Sequence, residues 1–393
     1  MPIVLSTDII VYLLFLCILA FILKARKTDD KAREVWMSVK KNRLAMLSLV
    51  ILSLYALIAL GDSIRWQDPL LDEDNKVLLD SNGNTVYNPT ALSVVDRVFS
   101  SMRTNTEKTF SAPFAKTQYV KESLETADGK LIRDYPQLKY PGTHMLGTDK
   151  VGGDVLFSSI KGIRTGVVIG TGTTLIVIPF AILFGVLAGY FGGIIDDAIQ
   201  YIYTTLASIP DILLIVALML ILGQSGYQGG IIKEEDTYLG FLVINDRLFW
   251  LCVIMGITSW TGLCRLIRGE TLKVRELEYV QAAKAFAVSK PLILLRHIVP
   301  NIMHLALITL VLQFSGLVLA EAILSYLGIG VGGEMGSWGN MINNARLELA
   351  REPVVWWSLL GAFVFMLLLV LPANILGDAV RDALDPKLKE GKK

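Results

Sequence analysis

Histidine, cysteine and net charge are all scarce in this chain. Its 393 residues include three His and three Cys, and 37 Lys+Arg against 36 Asp+Glu leave a formal charge of +1. So small a charge gives no field that would gather nucleic acid or another polyanion. His144, His297 and His304 stand in no metal-ligand spacing, so the sequence offers no metal or cofactor site. Cys17, Cys252 and Cys264 each lie inside an apolar run, where a thiol acts as a small hydrophobe and no disulfide framework can form. A G-x-x-x-x-G-K-[ST] phosphate cradle is missing too, which excludes an ATP site of that kind. Few charges fall deep within apolar runs and no inverted repeat is evident; both count against the main alternative, an ion-coupled secondary transporter. The polar segment 62–164 carries no recognisable nucleophile and base set, which counts against a membrane enzyme.

What is abundant is apolar surface. Hydrophobic residues make up 53% of the chain and the mean hydropathy is +0.53, above the roughly 45–50% apolar usage of soluble domains. About 20 mostly apolar residues are needed to cross a bilayer as a helix. Six runs qualify, 44–61, 165–190, 202–223, 248–267, 302–327 and 354–376, and a shorter seventh covers 9–23. The pattern predicts an all-α integral membrane protein with about six core transmembrane helices and an extra N-terminal anchor. No basic residue precedes the seventh run and the dense basic stretch "KARKTDDKAREVWMSVKKNR" follows it, the reverse of a cleaved signal.

The Lys/Arg excess between Lys24 and Arg43 places that linker in the cytoplasm and the N-terminus outside. The predicted organisation is then an anchor and basic linker (1–43), a first core span (44–61), an enlarged external region (62–164), a core of spans (165–376) and a cytoplasmic tail (377–393). By alternation a cytoplasmic segment at about 270–301 lies inside the core, and Arg265, Arg268, Lys273, Arg275, Lys284, Lys290 and Arg296 support that side independently. The inner loop "FGGIIDD" has two acids and no base, and acids weigh little in orientation. Arg265 and Arg268 are expected to snorkel to the inner interface, and Trp250, Trp356 and Trp357 to form an outer aromatic belt. Gly166 with Gly170, and Gly185 with Gly189, are small-xxx-small pairs that permit close helix packing, within the chain or against a partner. Glu321, Pro210 and Asp211 are the candidates for a pathway or gating role, because ionisable groups and helix breaks within spans carry function or structure.

The cytoplasmic stretch "EYVQAAKAFAVSKPLILLRHIVPN" reads as two short helices around a turn. Ala282, Ala283, Ala285 and Ala287 leave little side-chain bulk, Ser289 can cap the second helix with Pro291 in its first turn, and Pro300 is expected to end it. By pattern alone it could be a plain soluble loop.

"YVQAAKAFAVSKPLILLRHIVPN" resembles the EAA loop of ABC importer permeases, with Ala282, Ala283 and Pro300 in register, Gln281 in place of Glu and Ala287 in place of Gly. "HMLGTDKVGGDVL", "ASIPDILLIVALMLILG", "RLIRGETLKVRELEYVQAA", "EAILSYLGIGV", "SWGNMI" and "NILGDAVRDALDP" are similar, in order, to segments of the dipeptide and oligopeptide permease group. In the first of them Gly153 stands where Arg is usual. The resemblance implies a type I importer permease fold in a bacterial inner membrane. It implies a homologous second permease, two cytoplasmic ABC ATPase subunits that bind ATP and Mg, an external substrate-binding protein and a peptide cargo, with nickel or another small solute as the alternative. It also implies that Tyr279, Gln281, Ala282, Ala283, Lys284, Phe286, Ala287, Val288 and Ser289 form the contact with an ATPase.

Overall fold

Asn42, Gly192 and Pro210 mark three of the boundaries between the helices of this chain. The structure, a computed structural model, describes residues 2–27, 30–72, 76–79, 85–88, 90–125, 131–222, 237–238, 242–243, 247–333 and 335–384. The chain opens with β1 (Pro2–Leu5), α1 (Ser6–Lys27), α2 (Asp30–Lys41) and α3 (Arg43–Ser63). The polar region that follows carries β2 (Arg65–Trp66), β3 (Leu92–Ser93), α4 (Val94–Val98), α5 (Ser100–Thr104), β4 (Glu122–Glu125) and β5 (Leu131–Asp134). The core runs through α6 (Val155–Phe191), α7 (Gly193–Ala207), α8 (Asp211–Leu222), β6 (Thr237–Tyr238), β7 (Leu242–Val243) and α9 (Arg247–Val274). After it come α10 (Glu278–Ala285), α11 (Lys290–Ile293), a π turn (Leu294–Ile298), α12 (Val299–Tyr326), α13 (Trp338–Ala345) and α14 (Trp357–Leu384).

Among the described residues five helices are long and apolar enough to cross a membrane, or six if α7 and α8 count as one broken span. The largely helical, multi-span architecture expected from the hydropathy is therefore present. Asn42 caps α3 by accepting from the N–H groups of Leu44 and Ala45 at 3.0 and 3.3 Å, which meets donors that a helix start leaves orphaned. Gly192 ends α6 at φ +66°, a left-handed conformation that glycine adopts without steric penalty.

Four boundaries differ from the sequence reading. The apolar run 202–223 is not one helix: Ser208, Ile209 and Pro210 break it, and α7 and α8 meet at 87°. Proline supplies no N–H and restricts the residue before it. Helix α6 begins ten residues earlier than the predicted span, at Val155, capped by Asp154, whose carboxylate accepts from the Phe157 N–H at 3.0 Å. At 1.5 Å per residue its 37 residues extend roughly 55 Å, so it stands beyond a bilayer. Pro300 does not stop a helix. It sits in the first turn of α12, and the preceding π turn, where the Val299 N–H reaches the Leu294 carbonyl, widens the backbone enough to take it in. The supposed tail from residue 377 is still helical to Leu384; residues 385–393 lie outside the described ones.

Helix α6 is the central post, packed most extensively along α9. A Cβ on Gly185 would lie 2.8 Å from the Cys264 carbonyl oxygen, and one on Gly189 2.7 Å from that of Arg268. Gly166 likewise faces Trp338 and Gly170 faces Phe314. Both small-xxx-small pairs thus serve close packing inside this chain. At one end of the helices β1 is the middle strand of the order β3-β2-β1-β7-β6, antiparallel to β2 (Pro2 opposite Trp66) and parallel to β7 (Val4 opposite Leu242). The N-terminus, the segment after α3 and the segment before α9 consequently share one side, as alternation requires.

Candidate functional site

At the end of α9, Arg275 turns the chain by donating from Nη1 to the Gly189 carbonyl of α6 at 2.9 Å. Its own carbonyl accepts from Gln281 Nε2 at 3.1 Å, which also reaches Glu276 Oε2 at 3.2 Å. Gln281 therefore acts as a local brace between the turn and α10. One face of α10 is turned to the bundle: Val280 and Ala283 are buried in a cluster with Ile267, Val274, Ile293, Ile298 and Ile302. Tyr279 reaches α12, its hydroxyl accepting from Asn301 Nδ2 at 2.7 Å. Lys284 lies 5.4 Å from the Tyr190 ring and Lys290 5.6 Å from that of Phe191. The ends of α6, α9 and α12 thus all bear on one short helix.

The opposite face is open. Tyr279, Gln281, Ala282, Lys284, Ala287 and Ser289 are exposed and Val288 is half-buried, while Phe286 is 84% exposed. Ala283 does not belong with them. The sequence reading placed it on the contact surface, but helical periodicity carries it, with Val280 three residues earlier, onto the bundle side. Ser289 begins α11 in extended conformation without a side-chain capping bond.

Helix α10 ends in a Schellman turn, with the Val288 N–H donating to the Ala283 carbonyl at 3.1 Å and the Ala287 N–H to that of Lys284 at 3.0 Å. That turn needs a left-handed residue, and Ala287 occupies it at φ +55°. Alanine there is strained by about 1–2 kcal/mol. The turn holds Phe286 outward.

The acids of the "FGGIIDD" loop have an explanation in the fold. Asp196 on α7 accepts from Nε and Nη2 of Arg268 on α9, both at 2.6 Å, so the Arg268 head group is engaged within the chain. Arg265 lies 5.2 Å from the Tyr203 ring. Trp357 leaves the expected aromatic belt too: it is buried and donates from Nε1 to the Thr148 carbonyl at 2.8 Å.

The three candidates for a pathway or gating role, Glu321, Pro210 and Asp211, stand at a helix turn and a helix bend. Glu321 is 1% exposed and accepts from the hydroxyls of Ser325 and Ser337, each at 2.7 Å; Ser337 in turn caps α13. Glu321 fastens the turn between α12 and α13. Pro210 and Asp211 mark the bend between α7 and α8, where the Pro210 carbonyl accepts from the N–H groups of Leu213 and Leu214, and Asp211 is exposed.

Sequence reading missed a cluster of buried charges at the strand-bearing end. Arg164 on α6 donates to Asp8 on α1 at 2.5 Å and to the Thr7 hydroxyl at 2.6 Å, with both ionic side chains almost fully buried. Lys161, one turn away, pairs with Asp62 at the end of α3 and, at 3.0 Å, with Asp96 in α4. Asp8 and Arg164 sit at the edges of apolar runs, and asking what would neutralise them was the available signal. Beside them the "HMLGTDKVGGDVL" segment folds into a brace. His144 Nδ1 meets Asp154 at 2.9 Å, and Gly152, at φ +77°, leaves no room for a Cβ against the Glu107 backbone. Burial pushes the Asp149 carboxyl above its ordinary range, against the N–H donors of Gly153 and Val151. A cavity of about 260 Å³ opens here, lined by Asp149, Lys150, Phe157, Asn340 and Asn344 among others.

The chain is similar to known proteins over most of this architecture. The family described as the binding-protein-dependent transport system inner membrane component matches residues 181–390, and the N-terminal TM domain of oligopeptide transport permease C matches residues 31–76. An oligopeptide transport system permease protein of Bacillus subtilis is 29% identical over 281 residues, covering 72% of this chain and 81% of that protein. A dipeptide transport system permease protein of the same organism is 31% identical over 246 residues, 63% and 69% of the two chains. A glutathione transport system permease protein of Pectobacterium atrosepticum is 31% identical over 265 residues, 67% and 79%.

Proposed function

Because the chain belongs to the family of binding-protein-dependent transport system inner membrane components, we propose that it is the permease half of an ATP-driven importer for peptides in a bacterial inner membrane. It is a multi-pass transport subunit and not an enzyme; ATP hydrolysis belongs to separate subunits. The relatives named for oligopeptide, dipeptide and glutathione transport support a short peptide as cargo. In this reading a homologous permease completes the pathway, an external binding protein delivers the peptide, and two cytoplasmic ATPases bind ATP and Mg.

The observation that carries the mechanism is the two-sidedness of α10. Its inner face is locked to the ends of α6, α9 and α12, and its outer face offers Phe286 at 84% exposure with Tyr279, Gln281 and Lys284 beside it. A projecting aromatic ring fits a groove on a partner protein, since one such side chain supplies much contact area at little entropic cost. When the ATPase moves, the rigid connection passes the displacement to three spans together, a rigid-body rocking that can open the pathway to alternate sides. Ala282, Ala287, Val288 and Ser289 would line the rest of the contact without bulk to hold the partner off.

Phe286→Ala tests this in the full complex reconstituted in vesicles. Peptide uptake is expected to fall at least tenfold, with hydrolysis no longer stimulated by the loaded binding protein and with insertion unchanged. Normal uptake by that variant would remove α10 from the coupling role.

A further inference from the structure

Helix α2 carries a surface that coupling does not use. Its Val39 packs with Ala45 at the start of α3 and with Leu376, Ala379 and Val380 near the end of α14, which fixes one side of α2 against the bundle. Met37 lies opposite Val39 and Trp36, three residues before it, flanks the packed side; both are exposed, Trp36 at 44% and Met37 at 48%. Lys40 and Lys41 follow each of them by four residues, which sets Trp36 beside Lys40 and Met37 beside Lys41 on the helix surface. Among the described residues Lys40, Lys41 and Arg43 take part in no ion pair. The stretch from Lys24 to Arg43 holds eight Lys/Arg against three Asp/Glu, a surplus of five positive charges.

Position leaves little choice of surroundings. α1 ends at Lys27 and α3 begins at Arg43, so α2 is tethered at both ends to apolar helices and stays at the membrane surface. A large aromatic ring at that level favours the boundary between headgroups and acyl chains. Free cations beside it favour headgroups that carry negative charge. Orientation by positive charge requires basic residues only somewhere in the linker; it does not require a helix that alternates bulky apolar and cationic side chains on its open face.

We propose that the exposed face of α2, with Arg43 at the start of α3, is a docking surface for anionic phospholipid headgroups of the cytoplasmic leaflet, with Trp36 and Met37 seated among the upper acyl chains and Lys40, Lys41 and Arg43 on the phosphates. The proposal rests on the cytoplasmic placement of this helix in the reading above. The full-length chain, purified from membranes containing phosphatidylglycerol and phosphatidylethanolamine, should retain phosphatidylglycerol at several times its bulk fraction, and less at high salt. The triple variant Lys40→Gln, Lys41→Gln, Arg43→Gln keeps Lys24, Arg26 and Lys27 for orientation and should fall to the bulk ratio. No enrichment in the wild type, or equal enrichment in the variant, overturns the proposal. So does a variant that retains its lipid but loses copurifying ATPase, because the face would then be a protein contact. A cysteine at exposed Ser38 reads orientation separately: labelling by an impermeant reagent from the cytoplasmic side only upholds the placement of α2 whatever the lipid result, and labelling from outside overturns that placement and this proposal with it.

Discussion

The two ends of the helical bundle are fastened by different chemistry. At the strand-bearing end the fastenings are buried and polar: Arg164 with Asp8, Lys161 with Asp62 and Asp96, Glu321 with two serines, and His144 with Asp154. At the end that carries α10 close backbone approaches at Gly185 and Gly189 and aliphatic contacts through Val280 and Ala283 predominate, and the polar fastenings, Arg268 with Asp196 and Arg275 with the Gly189 carbonyl, are only part-buried. A buried ion pair has a narrow geometry, and displacing either partner strands a charge in a low-dielectric interior. Apolar contacts are non-directional and tolerate small shifts. The first kind of fastening suits holding the spans in register; the second suits an end that a partner is proposed to move.

Arg164→Ala should break this contrast most severely. It leaves the Asp8 carboxylate buried without its cation, and about 3–5 kcal/mol of stability is expected to be lost, read as a lower unfolding temperature in detergent. The joint replacement Asp8→Leu with Arg164→Met should cost much less, since no charge is stranded. Equal losses for the two would mean that the pair holds the end by shape alone.

Gly189→Leu attacks the other end. The new Cβ would meet Thr271 Cβ at 2.6 Å and the Arg268 carbonyl at 2.7 Å, so α6 and α9 must separate. Overpacking of this kind costs about 1–3 kcal/mol. Because Arg275 also binds the Gly189 carbonyl, uptake should fall further than stability does, which vesicle assays beside unfolding curves would reveal. A loss of stability with uptake per folded complex unchanged would uncouple this contact from the lever.

The smallest expected effect is a gain. Ala287→Gly removes the left-handed strain of about 1–2 kcal/mol but frees the unfolded chain, an offset of roughly 0.5–1 kcal/mol. A net stabilisation below about 1 kcal/mol is expected, measurable as a small rise in unfolding temperature. Destabilisation would mean that the methyl group makes a packing contact worth more than the strain.

Much of this was legible without coordinates. The apolar runs, the basic linker and the spacing of Ala282, Ala283 and Pro300 carried the membrane architecture and the family. The misplacements share one cause. Ala283 was placed by family resemblance and Trp357 by residue type, yet each was decided by which direction its side chain takes and what stands opposite. Arg164 and Asp8 lie 156 positions apart, and nothing local to either residue names the other.

The sequence by itself determined that this chain carries helices able to enter a bilayer, roughly where its apolar runs and basic segments fall, and which family it resembles. The first two are consequences of hydropathy and charge, properties that add along a chain. Only the tertiary structure decided that the N-terminal helix α1 is tied to the core by a buried ion pair, that the third run breaks at Pro210, and that α10 turns Ala283 inward and Phe286 outward. Those depend on which surfaces meet, and the meeting of distant surfaces is a property of the packed molecule alone.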